Sequence, residues 1–515
     1  MLKYYFVLIS LIIVCHCNAQ DYGEAQNFAN GITESTLREK LSIVASAEME
    51  GRETATSGQR RAAAYIEAQF KQLGLLPAND TSYQQYFPVY KERFDTCSIA
   101  INGKSFEWNK DFYFDFRESS PIDTITSNIV YVSYGIIDPK NKLDDYGTID
   151  VKGKIVIALN GAPNGYQQDS NNFQYLLPNS IDGKVATAQS KGAIGFLLVT
   201  NSYPDKMSSA YEGKMYIRKS TYYDASNHFV KGAISQNMAL AMLGKQMESA
   251  NNSFNYATGI YSTHLQIKIA KRIDTIYSSN VGGILEGTDK KDEFLVLSAH
   301  YDHIGKQGEI INYGADDDGS GTVSVMEMAR TFAEAKKNGK GPRRSILFLT
   351  FSGEEKGLWG SEYYSEHPLV PLEKTTADLN TDMIGRVGSA FKGDTSNYVY
   401  VIGDDKISSD LIKITNSLNK HAHLILDRRY NDLKDPNMFY YRSDHYNFAR
   451  KGVPIIFYFD GVHADYHKPT DTVDKINFAL MKKRVHFIFQ TAWAIANKDA
   501  MLKRDKALKL PKRGR

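Results

Sequence analysis

Four uninterrupted apolar runs of strand length, Phe294–Ala299, Ser345–Phe351, Tyr398–Ile402 and Val453–Phe459, alternate with helical patterns such as Val323–Lys336 and Asp410–His421. A strand that is apolar on both faces needs cover on both faces. Strands of that kind separated by helices predict an α/β fold: a mostly parallel sheet flanked by helices. In such sheets ligands gather beyond the carboxyl ends of the strands. The chemistry of this chain is therefore to be sought where those runs stop.

Acids and histidines concentrate there. One run ends Ala299-His300-Tyr301-Asp302-His303, and a loop Gly314-Ala315-Asp316-Asp317-Asp318-Gly319-Ser320-Gly321 leads into a helix. The next run ends Ser352-Gly353-Glu354-Glu355, another segment reads Asp382-Met383-Ile384-Gly385, and a late loop reads Asp465-Tyr466-His467-Lys468-Pro469-Thr470-Asp471-Thr472. Carboxylates converging in a cleft repel one another, and burying even one is costly. A divalent cation, or a pair, removes that repulsion. Imidazole and carboxylate without thiolate suit a catalytic zinc site rather than a structural one. Two ions about 3.5–4 Å apart could share a carboxylate, polarise a carbonyl and activate a water.

At 515 residues the chain exceeds the roughly 250–300 residues at which one core stops growing, so more than one domain is expected. Residues 1–19 read as a signal peptide: Lys3, an apolar run from Phe6 to Val14, then Ala19 at the cleavage position. Lipid attachment at Cys15 or Cys17 is the competing reading, disfavoured because Val14 and His16 precede those cysteines where a small residue belongs. The mature chain then keeps only Cys97, read as a small buried residue, and so has no internal disulfide. Secretion or a periplasmic location follows. Residues 20–94 hold two amphipathic helices, Glu34–Ala45 and Gly58–Leu73, separated by a polar loop at Glu48–Glu53. From 95 to 265 short β-rich runs with one clear helix, Lys184–Gly192, suggest a separate insertion, and 266–500 carry the strand–helix pattern. Residues 501–515 form a basic tail read as a solvated end. The 62 Lys+Arg against 59 Asp+Glu give no basic excess for a nucleic-acid partner, and no run is long enough for a transmembrane span.

Taken together, His300-x-Asp302, the Gly314–Gly321 loop, Gly353-Glu354-Glu355, Asp382–Gly385 and Tyr466-His467-x-x-x-Asp471-Thr472 resemble the M28 zinc aminopeptidases, in that family's order. Glu50-Gly51-Arg52 and the helix ending Leu73-Gly74-Leu75 match its N-terminal helices. Asp150–Val156 and Lys184–Gly195 resemble a protease-associated (PA) domain inserted between the two parts. The resemblance implies two zinc ions and peptide substrates. It makes Asp317 the bridging ligand, with His300 and Asp382 completing one zinc and Glu355 and His467 the other. Glu354 would be the general base, Tyr466 an oxyanion donor, and Asp302 and Asp471 would orient the rings of His300 and His467. It also implies a cis Asp317–Asp318 bond.

Ser443-Asp444-His445 resembles a stretch that lines or supports the family's pocket, so Asp444 and His445 are candidate substrate-binding residues. His303 and His463 match no ligand position. His421 and His423 read as surface residues, Met326 and Met328 as helix core, and Trp359 as packing beneath the Glu354-Glu355 loop. The expected activity is removal of N-terminal residues from peptides. The alternatives are a carboxypeptidase, a one-zinc glutaminyl cyclase, or a non-catalytic binding module. Oligomeric state is not readable.

Overall fold

A computed structural model describes residues 22–116, 119–168, 177–200, 214–218, 229–244 and 256–508. The expected leader, residues 1–19, and the end of the basic tail lie outside the described residues. The chain divides into two compact units, one of residues 1–88 with 277–515 and one of residues 89–276.

The first unit is a mostly parallel sheet with helices. Its strands are β1 (Gly259–Leu285, of which residues 281–285 pair in this unit), β2 (Lys290–His300), β3 (Arg344–Phe351), β4 (Thr375–Thr381), β5 (Tyr398–Ile402), β6 (Ile425–Asp427) and β7 (Ile455–Phe459). They lie in the order β6-β5-β7-β4-β2-β3-β1. The β2–β3, β2–β4, β4–β7 and β5–β6 pairs are parallel; β5–β7 and β1–β3 are antiparallel. Every residue of β3, β4, β5 and β7 is buried, as the apolar runs require. Because β2, β3, β4 and β7 run in one direction, their carboxyl ends share one edge.

Helix α1 (Glu34–Val44) starts at a capping box in which the Thr33 and Thr36 side chains each bond the other's backbone. Helix α2 (Ser57–Gln72) is capped by Thr56 and followed by Gly74 at φ +72°. Helix α3 (Gly321–Lys337) packs on β2 and β3, with Met326 and Met328 in its core, and α4 (Phe478–Asn497) closes the unit.

Two expectations change here. The polar loop at Glu48–Glu53 is a short helical turn whose Arg52 is fully buried, because four carbonyl oxygens satisfy its guanidinium. The first residues of the basic tail are docked rather than solvated: Leu502 is buried, its amide bonds Thr376, and Arg504 donates to the carbonyls of Leu372 and Thr375.

In the second unit Ile122–Tyr131, Ile155–Leu159, Gly195–Val199 and Val230–Ile234 are successive parallel neighbours. Among its described residues are the α-helices Ile181–Ser190 and Gln236–Met242, the latter unforeseen in so short an apolar stretch. Cys97 is half-buried rather than buried. Among the described residues, no helix is long and apolar enough to cross a membrane.

Candidate metal centre

His300 ends β2 with its side chain 1% exposed. Its Nδ1 lies 3.1 Å from the backbone oxygen of Asp302. A carbonyl only accepts, so Nδ1 carries the proton and Nε2 presents its lone pair to the interior. That Nε2 lies 3.3 Å from Asp317 Oδ1, 3.4 Å from Asp382 Oδ1 and 3.8 Å from Glu354 Oε2. On the other side of Asp317, His467 Nε2 lies 3.1 Å from Oδ2 and 3.0 Å from Glu355 Oε2. The structure thus brings the five expected ligands together, with Asp317 between two imidazoles and one carboxylate oxygen toward each.

The Asp316-Asp317-Asp318 loop is held by backbone donors from several segments. Asp318 accepts from the amides of His300, Gly321 and Met383, joining the ends of β2 and β4 to the start of α3. The Asp317–Asp318 peptide is cis. Asp316 accepts from the Gly385 amide at 2.6 Å and faces His463 Nε2 at 3.1 Å. Asp302 is fully buried; it accepts from Thr54 Oγ1 at 2.7 Å and from the Glu354 amide at 3.2 Å. It thereby ties the N-terminal segment to the Glu354-Glu355 turn, while its backbone oxygen orients His300. Trp359 donates its amide to the Gly353 carbonyl, and a Cβ on Gly353 would stand 2.9 Å from that of Trp359.

Asp471 does something other than orient His467. Its carboxylate accepts the backbone protons of Asp316, at 3.0 Å, and Asp317, at 3.2 Å. Asp444 and His445 also depart from expectation. Both are fully buried and neither lines the cavity, because the His445 ring stacks on Phe457 and its Nε2 bonds the Tyr440 carbonyl. His445 supports the pocket wall from behind, through Phe457.

A cavity opens onto His300, Asp317, Glu354 and Asp382. Its apolar lining is Met383, Phe439, Phe457, Phe459 and Val462, and Arg442 and Tyr466 complete it. Tyr466 stacks on His467, with ring centroids 3.8 Å apart, and its oxygen accepts from Arg442 Nη2 at 3.2 Å. That leaves the phenol proton free to be donated elsewhere. Burial and the carboxylates of Asp317 and Glu355 push the phenol's pKa up, so it stays protonated at neutral pH.

The donor set fits divalent cations. Burial alone would push the His467 imidazole down; Asp317 and Glu355 more than reverse this and hold it at about 10. The site thus has a strong pull on positive charge. Asp317 Oδ2 and Glu355 Oε1 are buried without a hydrogen-bond partner among the described residues, as oxygens that serve a cation would be. Two groups of atoms, one from His300, Glu354 and Asp382 and one from His303, Asp317 and Glu355, are each close enough to hold one ion.

Residues 280–492 match the model of peptidase family M28. Over those residues the chain is similar to the family M28 peptidases. A probable leucine aminopeptidase of Arthroderma otae is 26% identical over 325 residues, 59% of this chain and 85% of that protein. A probable zinc metalloprotease of Pyricularia oryzae is 35% identical over 123 residues, 23% of each chain. Among solved structures, the aminopeptidase from Aneurinibacillus sp. strain AM-1 aligns over 95% of this chain and all of its own, at 18% identity and a TM-score of 0.48.

Arg52 and His303 stand beside the candidate ligands, and reading the sequence residue by residue missed both. Arg52 holds the carbonyls of Tyr301 and Gly314, which flank His300 and the aspartate loop. Its only signal was the family likeness of Glu50-Gly51-Arg52. His303 had a signal, the two-residue step beyond Tyr301 at a strand end, but no ligand position to match.

Proposed function

We propose that this chain is a secreted two-zinc aminopeptidase that removes N-terminal residues, preferably apolar ones, from peptides. The observation that carries the reading is the placement of Asp317 between His300 and His467, with Asp382 and Glu355 completing the two sides. His300, Asp317 and Asp382 would hold one ion, and Asp317, Glu355 and His467 the other. When bound, such ions polarise the scissile carbonyl and make a water acidic enough to attack near neutral pH.

This chain's own residues do the rest. Glu354, 11% exposed and facing the cavity, takes the proton from the attacking water and passes it to the leaving amine. Tyr466 donates its phenol proton to the carbonyl oxygen as negative charge develops there. Its oxygen already accepts from Arg442, and that neighbouring charge makes the phenol a better donor. Phe439, Phe457, Phe459 and Met383 offer the first side chain an apolar enclosure. The second unit is assigned, on the sequence likeness, as an inserted PA domain.

The test is hydrolysis of a panel of aminoacyl-nitroanilides beside N-blocked peptides, with and without chelator, and metal analysis of the purified protein. Chelator-sensitive cleavage of free N-terminal substrates, with leucine above charged residues, and two zinc ions per chain are expected. Cleavage from the C-terminus, or one zinc with cyclisation of N-terminal glutamine, would replace this reading.

A further inference from the structure

His303 has no role in the ligand set just described, yet its ring is fully buried beside it. Nδ1 lies 2.8 Å from Glu355 Oε1 and 3.8 Å from Asp317 Oδ2. Among the described residues, neither ring nitrogen makes a hydrogen bond, and neither do those two oxygens. A nitrogen and a carboxylate oxygen this close and out of water normally share a proton along the line between them. Here no hydrogen bond is made, although the 2.8 Å separation would allow one. Two donors that crowd together without bonding are arranged as ligands of one ion are. The separations of 2.8 and 3.8 Å lie within the roughly 4.4 Å that two donors each about 2.2 Å from one zinc can span.

The fold makes room for this ring in particular. Gly314 sits at φ +55°, and a Cβ there would stand 2.6 Å from both Cγ and Cδ2 of His303. The His303 amide donates to the Arg52 carbonyl at 3.3 Å, so the same anchor that holds the aspartate loop also fixes the backbone of His303.

We infer that His303 is a direct ligand, through Nδ1, of the ion held by Asp317, Glu355 and His467. The inference rests on the two-metal reading and makes the two sites unlike. One carries a single imidazole, His300. The other carries two, His303 and His467.

The experiment is proton NMR of the full chain loaded with cobalt(II), recorded in H2O. Each imidazole bound to the paramagnetic ion contributes one strongly shifted ring N–H signal. Three are expected from the wild type and two from His303→Asn, whose amide can still reach Glu355 as a hydrogen-bond donor. In zinc-buffered titrations His303→Asn binds the second equivalent more than about 100-fold more weakly, beyond the roughly 10–100-fold effect of an outer partner. Two signals in the wild type, or three retained in His303→Asn, overturn the ligand role. If His303→Asn does not fold, the wild-type count alone decides. A protein that takes up no cobalt overturns the metal reading itself, so the two failures are distinct.

Discussion

Asp471 lies 154 residues beyond Asp317 and accepts its backbone proton at 3.2 Å. The same carboxylate takes the proton of Asp316. Asp317 is therefore presented from a backbone clamped by the loop that also supplies His467. Burial pushes the Asp471 carboxyl up to about 6, helped by the neighbouring Asp316. Replacing it with alanine frees the loop without touching an expected ligand. Asp471→Ala is expected to weaken zinc binding by about 10–100-fold, as loss of an outer partner does. Competition with a chromophoric chelator measures this, and unchanged affinity would remove the clamp from the account.

Glu354 and Glu355 are adjacent in sequence and face different partners, Glu354 toward His300 and Glu355 toward His467. Glu354→Gln is expected to lower kcat by about 10²–10⁴-fold, the usual contribution of a positioned general base. Zinc content should remain at the wild-type level. Glu355→Gln is expected to lose zinc as well. Steady-state kinetics with metal analysis separates the two.

Arg52 donates to the carbonyls of Val44, Tyr301, Tyr313 and Gly314. Arg52→Met takes a donor from all four; Gly314 keeps the Gly319 amide, and the other three are left short of a partner at about 1–3 kcal/mol for each that no water reaches. A loss of more than about 3 kcal/mol is expected on that basis, read as the urea midpoint of the metal-free protein. Arg52→Lys, with charge but without the fork, should fall between.

His445 gives a pH signature. Its Nε2 donates to the Tyr440 carbonyl at 2.9 Å, and its Nδ1 is buried with no partner among the described residues. Burial pushes the imidazole down from 6.5 to about 3. A group with a depressed folded pKa is held neutral by the fold while the unfolded chain takes up the proton. Its contribution is fully present above pH 6.5 and drains away as pH falls toward 3, by up to about 1.4 kcal/mol per pH unit. His445→Gln lacks that titration. Its stability deficit relative to wild type should therefore shrink between pH 7 and pH 5 in urea unfolding. A deficit independent of pH would exclude the burial effect.

Much of the fold was legible. The runs Tyr398–Ile402 and Ser345–Phe351 foretold strands within a residue of those observed, because burial on both faces leaves an unbroken apolar string. Helices α1 and α2 announced themselves by their amphipathic period. Gln236–Met242 did not, being too short to show a period. The tail at Leu502–Lys506 looked merely basic, since nothing local reveals that backbone acceptors wait for Arg504.

Local spacing determined which stretches of this chain become strands and helices, and residue type determined that carboxylates and imidazoles stand where strands end. Those properties act over two to four residues and can be read along a line. The tertiary structure alone decided that Asp471 clamps the aspartate loop rather than steering His467. It also decided that His445 is buried behind the wall, and that Arg52 and His303 belong to the site. Each depends on which distant segment fills the space beside a side chain. That is set by strand order and loop path across more than a hundred residues, for which no local period exists.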